Sequence, residues 1–256
     1  MNSETKDFNL SVIKAFSLLD AFLGEKQEWG VRDLAKKSGY NKTTTYRLLS
    51  TLESLNIVNK NANDKYILGL KLFELGHAVS IHKSLKSYSQ APLEHIAKNI
   101  NETVHLGVLS QNQVLYINKT ESLQGLKVST QIGSYQKAYC TAIGKVLLAF
   151  SSQVYMSEYL ERVHFEALTE HTITDSKTLF KALAEVRVKG YALDMEELEI
   201  GLICIAIPVF NKHKDIVASI SVSGPSSRFK PEHIQDYLAI IRKGALEIEK
   251  YISSYN

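Results

Sequence analysis

The sequence predicts an α+β protein of two domains, an N-terminal winged helix-turn-helix and a C-terminal domain built on an antiparallel sheet. Three observations carry that prediction. Short amphipathic segments with helical spacing come first, a basic hairpin pattern follows them, and β-branched runs joined by polar turns mark the second half. With 256 residues, 45% of them apolar and 22% charged, the chain is long enough for two domains with cores of their own.

Each element follows from a local pattern. Between Leu10 and Phe22 the apolar positions Val12, Ile13, Ala15, Phe16, Leu18, Leu19 and Phe22 fit one amphipathic helix, which "GEKQEWG" ends. "VRDLAKKSG" sets Val31, Leu34 and Ala35 on one side of a two-turn helix, and Gly39 supplies a left-handed stop. The turn "GYN" leads into a third helix that Asn41 can cap, with Thr45, Leu48, Leu49, Leu52 and Leu55 on its apolar face. "IVNKNANDKYIL" reads as two short strands around a turn holding Asn63 and Asp64, flanked by Lys60 and Lys65. We therefore expect the winged helix over residues 8–69, with its helix-turn-helix near 31–50. A linker helix is expected over 70–83 and a second domain over 84–256.

In that second domain a helix through "LEHIAKNI" is expected to begin after Pro92. Strands are expected at "TVHLGVL", "QVLYINKTE" and "LKVSTQI". "TAIGKVLLAF" and "SKTLFKALAEVRVKG" return to helical spacing, the latter stopping at Gly190. "LICIAIPVF" and "IVASISVSG" flank the turn "NKHKD" as a hairpin deep in a sheet, and a final helix starts near Pro231.

The formal charge of +3 is too small to announce a nucleic-acid binder, so the distribution of charge has to speak instead. Residues 31–47 hold five basic groups, Arg32, Lys36, Lys37, Lys42 and Arg47, against the single acid Asp33. On the third helix Thr43, Tyr46, Arg47 and Ser50 share the side opposite the leucines, Thr44 sits at its edge and Thr45 faces inward. Lysine and arginine neutralise phosphates or grip guanine edges, and threonine offers a hydroxyl and a methyl to phosphate oxygens and thymine. With Lys60 and Lys65 on the wing, these residues point to double-stranded DNA as a partner.

Two cysteines, Cys140 and Cys204, exclude a disulfide framework and a four-cysteine zinc site. The first residues lack the apolar core of a signal peptide, and no uncharged run approaches the length of a membrane span, so a cytoplasmic protein without membrane contact is expected. The eight histidines show no metal-binding spacing, and glycine-rich phosphate loops are missing, so neither a metal nor a cofactor is expected. His105 in its apolar strand reads as a satisfied, half-buried histidine. The acids Asp194, Glu196, Glu197 and Glu199 read as a solvated loop. Their nearness to Cys204 invites the alternative of a cysteine-dependent enzyme with an accessory winged helix, but no histidine is placed beside Cys204 to serve as base. Ser219, Ser221 and Ser223 alternate onto one strand face, which either meets solvent or holds a polar ligand. A further alternative has the winged helix docking another protein.

Over nearly its whole length the chain resembles the IclR family of bacterial transcriptional regulators. The first half carries "VRDLAKKSGYNKTTTYRLLSTLESLNIV" and "YILGLKLFELG"; the second carries "ETVHLGVL", "TAIGKVLLA", "KGYALDMEELEIGLICIAIPVF" and "SVSGPSSRF", in the family's order. The resemblance implies a head that binds operator DNA, a GAF-like effector-binding domain, assembly as homodimer or homotetramer, and no enzymatic activity. It also implies a pocket for a small carboxylate effector lined by Ala142, Ile143, Asp194, Cys204, Ser221 and Ser223. Where the family often has "PLHATA" this chain has "KAYCTA", which puts Lys137, Tyr139 and Cys140 at the approach to that pocket, and Thr45 stands where an aliphatic residue is usual.

Overall fold

The computed structural model describes residues 8–24, 26–124 and 130–254. The chain divides into two compact units between Ser80 and Ile81.

The first unit opens with α1 (Leu10–Asp20), whose N-cap Asn9 accepts the N–H groups of Ser11 and Val12, and continues into a 3-10 turn (Ala21–Leu23). Leu18, Leu19 and Phe22 enter the core, but Val12, Ile13 and Phe16 are about half exposed or more, so the apolar positions of this helix do not form the single inward face expected of them. Helix α2 (Val31–Ser38) ends on Gly39 at φ 73°, and α3 (Lys42–Ser54) is capped by Asn41, which accepts the Thr44 N–H at 2.8 Å. Thr45, Leu49 and Leu52 face the core as expected, whereas Leu55, past the end of α3, is exposed. The wing consists of β1 (Val58–Lys60) and β2 (Tyr66–Leu68), antiparallel. Trp29 adds a bridge to it, exchanging both backbone hydrogen bonds with Tyr66, so "GEKQEWG" does more than end a helix. The linker region is two helices rather than one, α4 (Leu70–His77) and α5 (Ser80–Ile100).

Helix α5 runs through Pro92 instead of starting after it. An interior proline removes a hydrogen bond and costs about 3 kcal/mol in an isolated helix. Here Leu85 on one side of it and Leu93 and Ile96 on the other are buried in one core, and that packing outweighs the loss. Two hairpin strands follow, β3 (Thr103–Ser110) and β4 (Gln113–Thr120), then the short β5 (Tyr135–Lys137). The strand expected over 126–132 falls largely outside the described residues, and 130–132 is not strand. Helices α6 (Ala142–Phe150), α7 (Gln153–Arg162) and α8 (Ser176–Lys189) come next; α7 was not foreseen, although Ser152 caps it by accepting the Tyr155 N–H. Strands β6 (Ala192–Met195), β7 (Leu202–Phe210) and β8 (Ile216–Pro225) and the last helix α9 (Ile234–Ser254) complete the unit.

The six strands form one antiparallel sheet in the order β5-β4-β3-β8-β7-β6. Alternation gives it two apolar faces. On one, Val104, Leu106, Ile205, Ile220 and Val222 pack against Leu93 and Ile96 of α5 and Leu238 and Ile241 of α9. On the other, Tyr116, Ala192, Cys204 and Ala206 meet α6 and α8 through Ile143, Val146, Leu179 and Leu183.

Candidate functional site

On α3 the structure separates the three consecutive threonines. Thr43, Tyr46, Arg47 and Ser50 are exposed along one side with Lys42 before them, Thr44 is partly buried, and Thr45 is fully buried. The buried hydroxyl donates to the Asn41 carbonyl at 3.1 Å, which is how a threonine replaces an aliphatic residue there without an unpaired polar atom. Arg32, Lys36 and Lys37 are exposed on α2. On the wing Lys65 is exposed, while Lys60 pairs with Asp64 at 2.8 Å and lies over the Tyr66 ring. The side of the helix-turn-helix away from the leucines is thus polar, cationic and open.

In the second unit the register across the sheet gathers polar side chains on the face beneath α6. His105 is opposite Ser221, and one step along, Thr103 is opposite Ser223, Ser223 opposite Cys204, and Cys204 opposite Asp194. All of these are buried. Together with Tyr116, Thr130, Thr141, Ala142, Ile143, Leu198 and Leu202, all of them but Thr103 wall a cavity of about 10 Å³, room for roughly one water. The six residues implied by the family resemblance all lie on it. Lys137, Tyr139 and Cys140 are not among its walls; Lys137 pairs instead with Glu166, and the Tyr139 hydroxyl bonds to the Glu166 backbone.

Helix α6 presents its N-terminus to the cavity. Thr141 caps it, accepting the Gly144 N–H, and the N–H groups of Ala142 and Ile143 have no acceptor within the helix. An anion placed there meets oriented amides and the positive end of the helix dipole. Gly144 is required by contact: a Cβ there would lie 2.2 Å from the Ala138 carbonyl oxygen.

Asp194 and Glu197 correct the expectation of a solvated acidic loop. Asp194 is fully buried on β6, and its Oδ1 accepts the Glu197 N–H at 2.8 Å, while Oδ2 is buried with no partner. Burial first, and the Glu197 carboxylate second, push its carboxyl up to about 7. Glu197, 8% exposed, pairs with the buried Lys145 of α6. His105 is 1% exposed rather than half-buried, and only one of its ring nitrogens is satisfied: Nε2 meets the Thr130 hydroxyl at 2.5 Å, and Nδ1 is buried without a partner. Burial, with the nearby Lys119 charge, lowers its pKa to about 3, so the ring is neutral. Burial and the Asp194 charge hold the Cys204 thiol far above its ordinary range, the opposite of an activated nucleophile. Sequence reasoning missed His105, Tyr116 and Thr130 as cavity walls, because only the sheet register sets His105 beside Ser221, and only the folded chain brings Thr130, outside any strand, against His105. Among the described residues no cluster of histidine, cysteine and acidic side chains could hold a metal, and no helix is long and apolar enough to cross a membrane.

A winged helix with an open cationic face, on one chain with a second domain that holds a small cavity, places the protein in the class of DNA-binding regulators. A family model described as the IclR helix-turn-helix domain matches residues 11–62, and one described as the bacterial transcriptional regulator IclR C-terminal matches residues 77–250. The chain belongs to the IclR family of bacterial transcriptional regulators. It is 38% identical to the HTH-type transcriptional regulator KdgR of Escherichia coli over 239 residues, 93% of this chain and 90% of that one. The crystal structure of the Thermotoga maritima IclR superposes with a TM-score of 0.75 at 31% identity, covering 95% of this chain and 98% of that one. That of an IclR homolog complexed with 4-hydroxybenzoate, from Microbacterium hydrocarbonoxydans, shares the fold with a TM-score of 0.85 at 20% identity, covering 94% and 98%. The protein is accordingly a DNA-binding transcriptional regulator.

Proposed function

We propose that residues 8–69 bind a pseudo-palindromic operator, 70–83 link, and 84–256 take a small organic acid whose binding alters operator affinity. The observation that carries the effector half is the cavity between the α6 N-terminus and Asp194, Cys204, Ser221 and Ser223. Amides and hydroxyls that donate, with no activated nucleophile beside them, suit binding of a carboxylate rather than its turnover. In the operator half, Lys42, Thr43, Thr44, Tyr46, Arg47 and Ser50 enter the major groove, and Arg32, Lys60 and Lys65 meet phosphates.

The working form is a homodimer or homotetramer in the cytoplasm. The exposure of Val12, Ile13 and Phe16 on α1 supports self-association, since a soluble monomer seldom leaves such a group open. Two heads one helical turn apart would read two half-sites. A gel-shift titration over salt tests the operator half. Binding should weaken steeply as salt rises, and Arg47→Ala should weaken it further. Absence of any salt-sensitive DNA binding would overturn the reading.

A further inference from the structure

We infer that His105 is a specificity-determining residue of the effector cavity, and that the effector is a hydroxycarboxylate whose hydroxyl meets His105 Nδ1. The inference rests on the carboxylate reading of the cavity and goes beyond it by naming a second polar group on the ligand.

The argument is one of satisfied and unsatisfied atoms. Buried polar groups in folded proteins almost always find a hydrogen-bond partner, so an orphan that faces a cavity marks where a partner arrives. His105 Nδ1 is buried without a partner, and the side chain that carries it, 1% exposed, lines the cavity. The ring is fixed from its other side, with Nε2 on Thr130 Oγ1 and the Tyr116 ring 4.9 Å away, centroid to centroid. It cannot swing away to find water. A neutral imidazole has one donor and one acceptor nitrogen, and the Thr130 hydroxyl can serve either, so Nδ1 is a donor in one tautomer and an acceptor in the other. A hydroxyl meets both cases, because it donates and accepts; a plain carboxylate or an alkyl chain does not. His105 is directly opposite Ser221 in the register, on neighbouring strands about 5 Å apart. A carboxylate held by Ser221, Ser223 and the α6 amides therefore leaves His105 within reach of an oxygen a few bonds further along the same ligand.

The experiment measures calorimetric affinities for butyrate and its 2-, 3- and 4-hydroxy derivatives, and for benzoate and 4-hydroxybenzoate, with the full-length wild type and the variants H105N, H105Q and H105F. Asparagine carries a polar atom near the place of Nδ1, glutamine near that of Nε2, and phenylalanine neither. In the wild type at least one hydroxylated acid should bind about ten-fold more tightly than its parent, the worth of one buried hydrogen bond. H105Q and H105F should erase that preference, and H105N should keep part of it. A purely structural role for His105 would lower the affinity of parent and hydroxylated acids alike. If H105F does not fold, the comparison of H105N with H105Q decides. Equal affinity for parent and hydroxylated acids in the wild type, or a preference that survives in H105Q, overturns the inference while leaving the carboxylate reading intact. Failure of every acid to bind overturns the carboxylate reading itself, and this inference with it.

Discussion

Replacing Asp194 with asparagine should remove a pH dependence of stability whose sign and size follow from its surroundings. Its carboxyl is fully buried, and burial with the Glu197 charge raises it from an ordinary 3.8 to about 7. The titratable groups around it are Glu197 from its own loop and Lys145 from α6, which carry charge, and the neutral Cys204 from β7, Cys140 and Tyr116. Between those two pKa values the folded protein holds a proton that the unfolded chain has released. The stabilising contribution of this group is therefore fully present below its unfolded pKa and is lost as pH rises through the folded one. From pH 5 to 8 the loss is about 2 units at ~1.4 kcal/mol each, or on the order of 3 kcal/mol. In a unit of this size that is about 6–12 °C in melting temperature. His105, neutral in the fold, works in the opposite sense at acid pH, so wild-type melting alone mixes the two. Subtracting it from the Asp194→Asn curve isolates the aspartate. The assay is thermal unfolding of both proteins from pH 5 to 8, and the variant should gain on the wild type as pH rises. Parallel curves would refute the placement of an unpaired, raised carboxyl in the cavity wall.

Gly144→Ala should destabilise the second unit by on the order of 3 kcal/mol, because the added methyl would lie 2.2 Å from the Ala138 oxygen and 2.4 Å from its Cα, both of them backbone. A melting temperature unchanged from wild type would show that α6 is not pressed against that turn. Thr45→Val should cost less than about 1 kcal/mol, since the Asn41 carbonyl that loses the hydroxyl still accepts the Thr45 N–H at 3.0 Å. Thr45→Asp, which buries a charge at a fully enclosed position, should unfold the helix-turn-helix. Chemical denaturation reads both, and a valine variant as damaged as the aspartate one would mean that the hydroxyl, not the packing, holds α3 in place.

The elements legible in the sequence were those with local signals: Gly39 and Gly190 as left-handed stops, Asn41 as a cap, and the β7–β8 hairpin around its polar turn. Helix α5 was misjudged because proline is a local breaker, whereas the packing of Leu85, Leu93 and Ile96 that overrides it is not local. The first helix misled for the complementary reason. Helical spacing says which side chains share a face but not whether this domain covers that face, and Val12, Ile13 and Phe16 are left outside. In the candidate site the serines announced themselves by alternation. Burial of Asp194 and His105 did not, because an acidic run and a single histidine carry no sign of the register that sets them beneath α6.

A cavity of about 10 Å³ is too small for even a short carboxylic acid, so under the proposed reading effector binding must move a wall. Helix α6 is a poor choice, with Gly144 already against the Ala138 backbone, Lys145 tied to Glu197 and the residues from Ala142 to Ala149 buried. The sheet beneath is held on its far face by α5 and α9. The remaining walls include Thr130, Leu198 and Leu202, which border the cavity from loops or from the end of a strand. Opening there exchanges apolar contact for ligand contact, and the observed affinity is the intrinsic affinity reduced by the cost of opening. Operator control needs only that this cost differ between the DNA-bound and free forms, and the same difference then sets how strongly the effector shifts operator affinity.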